Sequence, residues 1–148
     1  MKLVEITKDN WLDVIFLSTT DKMPMICEEF VASNALSLVQ AQYERNRITK
    51  AIEVDTSLVG FAMYGREQEE EQYTICRLMI DYKYQGKGYG RQAMEMILAE
   101  LKSKEDGLDI YLSVEPKNDV AKNLYKSFGF ISTNRIVDGE EEFVLKNE

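Results

Sequence analysis

The chain has no histidine among its 148 residues. This removes the commonest metal ligand and the commonest general base, and the cysteines and carboxylates that remain have no ligand-like spacing, so no metal is expected. Cysteine is scarce: Cys27 and Cys76 are the only two, with no CxxC pair. Each sits in an apolar or mixed stretch, which reads as a free buried thiol in a reducing, cytoplasmic setting. No apolar run approaches the roughly 18 residues needed to span a bilayer, and the opening MKLVEITKDNW alternates like a strand rather than a signal peptide. Basic residues are outnumbered, 18 Lys and Arg against 26 Asp and Glu, for a formal charge of -8. A field of that sign repels phosphate backbones and anionic membranes and favours cationic partners, so neither nucleic acid nor a membrane is an expected partner.

The apolar content of 45% is enough for one domain of this length, expected to span 1–148, to bury a core without disulfides or metals. Leu3 to Ile6 reads as a strand. Thr7 or Asp9 is placed to cap a helix with Trp11, Leu12, Ile15 and Phe16 on one side. The stretch from Ser18 to Glu29 is irregular, and a second helix is expected from about Ser33 to Tyr43, with Ala35, Leu38, Val39 and Gln42 at helical spacing. Ala51 to Val54 and Leu58 to Tyr64 read as a hairpin around Asp55-Thr56-Ser57. A further strand, Tyr73 to Ile80, follows a polar loop from Gly65 to Gln72. Ala93, Met94, Met96, Ile97 and Leu101 mark a helix that ends near Asp106-Gly107, and Ile110 to Val114 reads as another strand. Asn118 caps a last helix that Gly129 ends in a left-handed conformation, and two final strands meet near Asp138-Gly139. The order β-α-α-β-β-β-α-β-α-β-β defines an α+β (mixed α/β) chain with a meandering sheet ahead of a glycine-rich turn, not repeated βαβ units.

That turn, YKYQGKGYGRQ, is where chemistry concentrates. Closely spaced glycines let main-chain N–H groups converge, and the helix that follows adds the positive end of its dipole. Lys83, Lys87 and Arg91 surround it, while Lys117, Lys122 and Lys126 gather on the later helix. An anion is the expected ligand, although a strand-to-helix connection also uses glycine for geometry alone. The P-loop pattern is absent. Gly88-Tyr89-Gly90-Arg91-Gln92-Ala93 formally fits the dinucleotide pattern GxGxxA, but it follows an antiparallel meander and leaves no room for a doubly wound domain.

The stretch Gln85-Gly86-Lys87-Gly88-Tyr89-Gly90, directly after Leu78-Met79-Ile80, resembles the acetyl-CoA pyrophosphate loop of the GNAT N-acetyltransferase superfamily. Downstream, Asn118-Asp119-Val120-Ala121-Lys122-Asn123-Leu124-Tyr125-Lys126-Ser127-Phe128-Gly129-Phe130 is similar to that family's second motif. The resemblance runs from Leu3 to Leu145. It implies a GNAT-like fold: a central, mostly antiparallel twisted sheet with one splayed strand pair, flanked by helices. It also implies that the backbone of Leu78, Met79 and Ile80 pairs with the pantetheine amides of acetyl-CoA. Gln85, Gly86, Lys87, Gly88, Tyr89, Gly90 and Arg91 would receive the pyrophosphate, and Asn118 would bond the pantetheine arm, a role that can coexist with capping. Tyr125 is the implied catalytic residue: a phenol with a reference pKa of about 10 is protonated at neutral pH and can donate to the departing sulfur. Spacing alone would make it a packed core tyrosine. Transfer would be direct, in a ternary complex, with Cys76 a small strand side chain and not a nucleophile. No general base is assigned.

The acceptor is read from weaker features. Glu28-Glu29-Phe30-Val31-Ala32-Ser33-Asn34 and Leu58-Val59-Gly60-Phe61-Ala62-Met63-Tyr64 are similar to the bacterial spermine/spermidine acetyltransferase branch. This implies a polyamine acceptor, with Glu28 and Glu29 as candidate ammonium contacts. The acidic run from Glu67 to Glu71 is either a solvated hairpin tip or a further ammonium site. Some branch members carry an acidic residue on the strand corresponding to Tyr73 to Arg77, and this chain does not. Another small amine, a protein amino group, or acetyl-CoA sensing without turnover are the alternatives. The resemblance allows a homodimer.

Overall fold

The computed structural model describes residues 1–21, 31–67 and 69–147. The elements follow the expected order: β1 Lys2–Glu5, α1 Trp11–Phe16, α2 Asn34–Tyr43, β2 Arg47–Val54, β3 Ser57–Glu67, β4 Gln72–Ile80, α3 Tyr89–Lys102, β5 Ile110–Val114, α4 Asp119–Ser127, β6 Ile131–Val137 and β7 Glu140–Leu145. One element was not anticipated, a short 3-10 turn at Tyr82–Tyr84 between β4 and the glycines. The strands form one sheet in the order β1-β2-β3-β4-β5-β7-β6. All neighbours are antiparallel except β4 and β5.

The centre of the sheet is β3, whose residues alternate between two cores as a strand's period of two requires. Phe61 and Met63 join Val14, Leu17, Ala51 and Met79 under α1 and α2. Ala62 and Tyr64 face Met94, Ile97 and Leu101 of α3 together with Leu112, Phe130 and Phe143. Phe61, Met63 and Tyr64 are fully buried, and burial of each such large side chain contributes about 1.5–3 kcal/mol. On the α3 side Tyr64 keeps its hydroxyl satisfied by donating to Glu100 at 2.7 Å. Within α4, Ala121, Tyr125 and Phe128 pack onto the same core. Asn118 caps this helix by accepting from the Ala121 N–H at 3.1 Å, and Gly129 leaves it with φ 93°.

The first two helices differ from the sequence reading in which faces they bury. Trp11, Leu12 and Phe16 are 46%, 50% and 52% exposed, and α1 instead buries Val14, followed by Leu17 just past its end. A six-residue helix offers the core one narrow stripe, and residues three apart fill it. Neither Thr7 nor Asp9 caps α1; Asn10 stands at the N-cap, with its Oδ1 accepting from the Thr7 N–H at 2.7 Å and its Nδ2 donating to the Glu5 carbonyl. In α2, Asn34 and Ser37 are the buried residues, while Leu38 and Ala41 pack at the margin and Val39 is exposed. The burial of Asn34 is satisfied by donation to the Val14 carbonyl at 2.8 Å, and that of Ser37 by donation to the Ser33 carbonyl at 3.0 Å. The polar stretch from Gly65 is shorter than expected because β3 runs on to Glu67, whose carboxylate pairs with Arg47 at 2.7 Å. No helix among the described residues is long and apolar enough to cross a membrane.

Candidate active site

Two irregularities in β4 open the sheet. Opposite β3, Met63 pairs with Arg77 but Tyr64 pairs with Ile75, so Cys76 is an extra residue that bulges the strand. Opposite β5, the parallel pairing joins Tyr73 to Ile110, Thr74 to Tyr111 and Ile75 to Leu112, and stops there. Beyond this point β4 continues to Ile80 and β5 to Val114 without pairing to each other. The sheet therefore splays, leaving β4 without a strand partner on that side from residue 76 to residue 80, where, among the described residues, side chains meet only the Cys76 carbonyl, from Arg77, and the Ile80 carbonyl, from Gln85.

This edge leads into the glycine turn. Gly86 and Gly88 have φ of 74° and 79°, left-handed values that cost a side-chain-bearing residue energy even though nothing lies within 4 Å of a Cβ added at either. Gly88 is the N-cap of α3 and supplies no side-chain cap, so the first N–H groups of the helix face outward. A cleft of about 560 Å³ lies over this helix end, lined by Ile80, Tyr84, Gln85, Gly86, Gly88, Tyr89, Gly90 and Arg91 on one side and by Val120, Asn123 and Leu124 of α4 on the other. Free N–H groups, a helix dipole and apolar walls suit an anionic head carried on a neutral arm. A smaller hollow of about 320 Å³ between Ile6–Trp11 and α2 lies away from the glycine turn.

The expected site residues fall around the cleft in different ways. Gln85, Gly86, Gly88, Tyr89, Gly90, Arg91 and Ile80 line it. Leu78 and Met79 contribute the strand edge, with side chains directed into the two cores. The Lys87 ammonium sits over the Tyr84 ring at 5.4 Å. Arg91 is held toward α4, its guanidinium donating to Ser127 at 2.7 Å and lying over Phe128 at 5.0 Å. Lys122 is turned to β7, donating to the Pro116 carbonyl at 2.6 Å and pairing with Glu141 at 3.5 Å. Asn118 fills the cap role. Tyr84, Val120, Asn123 and Leu124 were not singled out from sequence. For the last three the available sign was their i, i+3, i+4 spacing on the α4 face next to the turn, with Val120 an apolar residue left 83% exposed.

Tyr125 packs its ring against Phe130, with centroids 6.1 Å apart and planes tilted by 58°. Its hydroxyl has no hydrogen-bond partner among the described residues. Burial pushes its pKa up to about 12, with the negative charge of Glu140 adding to the effect, so it holds its proton throughout the neutral range. The Cys76 thiol is also pushed up by burial, although Arg47 and Arg77 pull the other way. A part-buried, protonated thiol is a poor nucleophile. Glu28 and Glu29 lie outside the described residues, as does Cys27. The exposed Glu69, Glu70 and Glu71 turn precedes Gln72, at the opposite end of β4 from Ile80. At about 3.3 Å per residue, the length of that strand puts the turn roughly 26 Å from the glycine-turn end of the cleft.

A mixed sheet splayed beside an anion-ready helix start suits a ligand with an anionic head and an extended arm laid along the strand edge. Residues 9–130 match the model of the Acetyltransferase (GNAT) family, and the chain belongs to that family. It is an acetyl-CoA-dependent N-acetyltransferase. Over 142 aligned residues it is 28% identical to the spermine/spermidine N(1)-acetyltransferase of Bacillus subtilis strain 168, covering 86% of this chain and 93% of that one. Its fold is similar to that of an acetyltransferase from Thermus thermophilus, with a TM-score of 0.73 at 23% identity over 98% of this chain and 96% of the other. It is also similar to the PaiA N-acetyltransferase of Thermoplasma acidophilum in complex with coenzyme A, with a TM-score of 0.61 at 20% identity over 75% and 67% of the respective chains.

Proposed function

We propose that the chain transfers the acetyl group of acetyl-CoA to a primary amine of a polyamine such as spermidine or spermine, directly and in a ternary complex. The observation that carries the donor half is the continuity of the unpaired β4 edge with the glycine turn. An extended arm of amides can complete the strand edge at Leu78, Met79 and Ile80 while a pyrophosphate meets the N–H groups from Gly86 to Arg91. Acetyl-CoA supplies a thioester whose carbonyl carbon accepts the amine and whose sulfur departs. Tyr125 holds a proton at Oη for that sulfur, and its raised pKa keeps the proton in place until it is needed. The protonated state of Cys76 favours direct transfer over an acetylated enzyme.

The polyamine half is supported by the likeness to the Bacillus subtilis spermine/spermidine enzyme and by the net charge of -8, which draws a polycation inward. Release of free thiol from acetyl-CoA across a panel of amines tests both halves. Spermidine and spermine are expected to give rates that depend on both substrates and exceed those of monoamines and of peptide N-termini. A peptide preferred over every polyamine would move the acceptor to protein amino groups, and tight CoA binding without turnover on any amine would make the chain a sensor.

A further inference from the structure

Asp81 lies at the junction of β4 and the Tyr82–Tyr84 turn and is 4% exposed. Its two carboxylate oxygens serve two distant segments of chain. Oδ1 accepts from the Lys83 N–H at 3.0 Å, on the approach to the glycines. Oδ2 accepts from the N–H of Ser18 at 3.0 Å, a residue 63 positions earlier that follows α1 and is itself buried. The backbone around this carboxylate is tied in the same sense: the Tyr82 N–H donates to the Ser18 carbonyl and the Asp81 N–H to the Val59 carbonyl, both at 2.8 Å. Gln85 adds an outer tie, its side-chain amide donating to the Ile80 carbonyl at 3.0 Å and the Thr19 carbonyl at 3.4 Å. A buried carboxylate is tolerated only when its oxygens are bonded, and charge-assisted bonds to N–H groups are among the strongest a fold makes.

We propose that Asp81 is a positioning residue that locks the glycine turn to the segment after α1, so that the donor turn holds the geometry that receives coenzyme A. The proposal rests on the donor site described under the proposed function. Asp81 does not line the cleft; it fixes the Lys83 and Ser18 backbone, and through them the turn beside β4. Because this carboxylate holds the turn that bears the donor site, its loss weakens coenzyme A binding even well below the melting temperature, which separates it from a residue that only stabilises the fold.

The test uses Asp81→Asn, which keeps the shape but presents an amide N–H to one of the two N–H donors, and Asp81→Glu, which keeps the carboxylate but displaces it by one methylene. Coenzyme A affinity is read by calorimetry, and the amine KM and kcat by thiol release at saturating acetyl-CoA. Asp81→Asn is expected to weaken coenzyme A about tenfold, equivalent to ~1.4 kcal/mol, while the amine KM changes less than about twofold and kcat falls less than about threefold. Asp81→Glu is expected to weaken coenzyme A by about threefold. A lower melting temperature with coenzyme A affinity unchanged would overturn the proposal, and if Asp81→Asn does not fold, an unchanged coenzyme A affinity in Asp81→Glu would do the same. Lys87→Ala serves as the control. If it weakens coenzyme A binding and the two positioning variants do not, only the positioning role fails; if none of the three does, the donor site itself is wrong and the proposal falls with it.

Discussion

Ile75 and Leu112 are the last residues paired across the parallel strands β4 and β5, and the bulge residue Cys76 follows immediately. One extra residue against β3 and one lost partnership against β5 occur at the same place, so the strand bends where its outer edge becomes free. A regular strand would have carried its ladder past Leu112 and closed the cleft.

Tyr125→Phe is expected to lower kcat about a hundredfold while changing coenzyme A affinity less than about twofold, because only the proton donor is removed and the ring still packs on Phe130. Steady-state rates and a binding isotherm measure the two effects separately. An unchanged kcat would take Tyr125 out of the mechanism.

Alkaline pH is expected to weaken the fold through its tyrosines. The Tyr125 pKa is raised by burial first and by Glu140 second, from an ordinary value of about 10 up to about 12. Above pH 10 the unfolded chain releases this proton while the native chain retains it, so the native state binds more protons and stability falls as pH rises. This contribution is complete below about pH 10 and lost by about pH 12, and it amounts to about 2–3 kcal/mol. Tyr64 and Tyr73 are shifted in the same direction, each by burial first and then by its bonded carboxylate, Glu100 or Asp106. Urea unfolding across this window should show a steep loss in the wild type and a shallower one in Tyr125→Phe.

Gly60→Ala is expected to destabilise the protein by about 3 kcal/mol. A Cβ at Gly60 would lie 2.4 Å from the Met79 carbonyl and 3.0 Å from the Ile52 and Ile80 side chains. The first contact is backbone on the strand that edges the cleft, so relief requires β3 and β4 to part. Denaturant unfolding measures the loss, and a stability within about 0.5 kcal/mol of wild type would show that the strands yield freely.

Much of this was legible in the sequence because it is local. The element order, the Asn118 cap, the Gly129 terminus and the turn at Asp138-Gly139 each follow from residues a few positions apart. The glycine turn was legible for the same reason. What failed depends on contacts distant in sequence. Trp11 and Phe16 look like core in a helical pattern, and only the length and seating of α1 decide that Val14 is buried instead. The bulge at Cys76 is a matter of register between strands, and no residue type announces it. Likewise, Asp81 reads as an ordinary post-strand acid until Ser18 is brought to it.

The central claim is that the unpaired edge of β4 and the turn beyond it hold the donor. Backbone amide exchange with and without coenzyme A tests it most directly, because the claim names the amides involved. Protection is expected at 78–80 and 86–91 and along the 120–124 face of α4, with none gained at the 69–71 hairpin tip. Protection of the 6–11 and 38–42 hollow instead, with 78–91 unchanged, would contradict it.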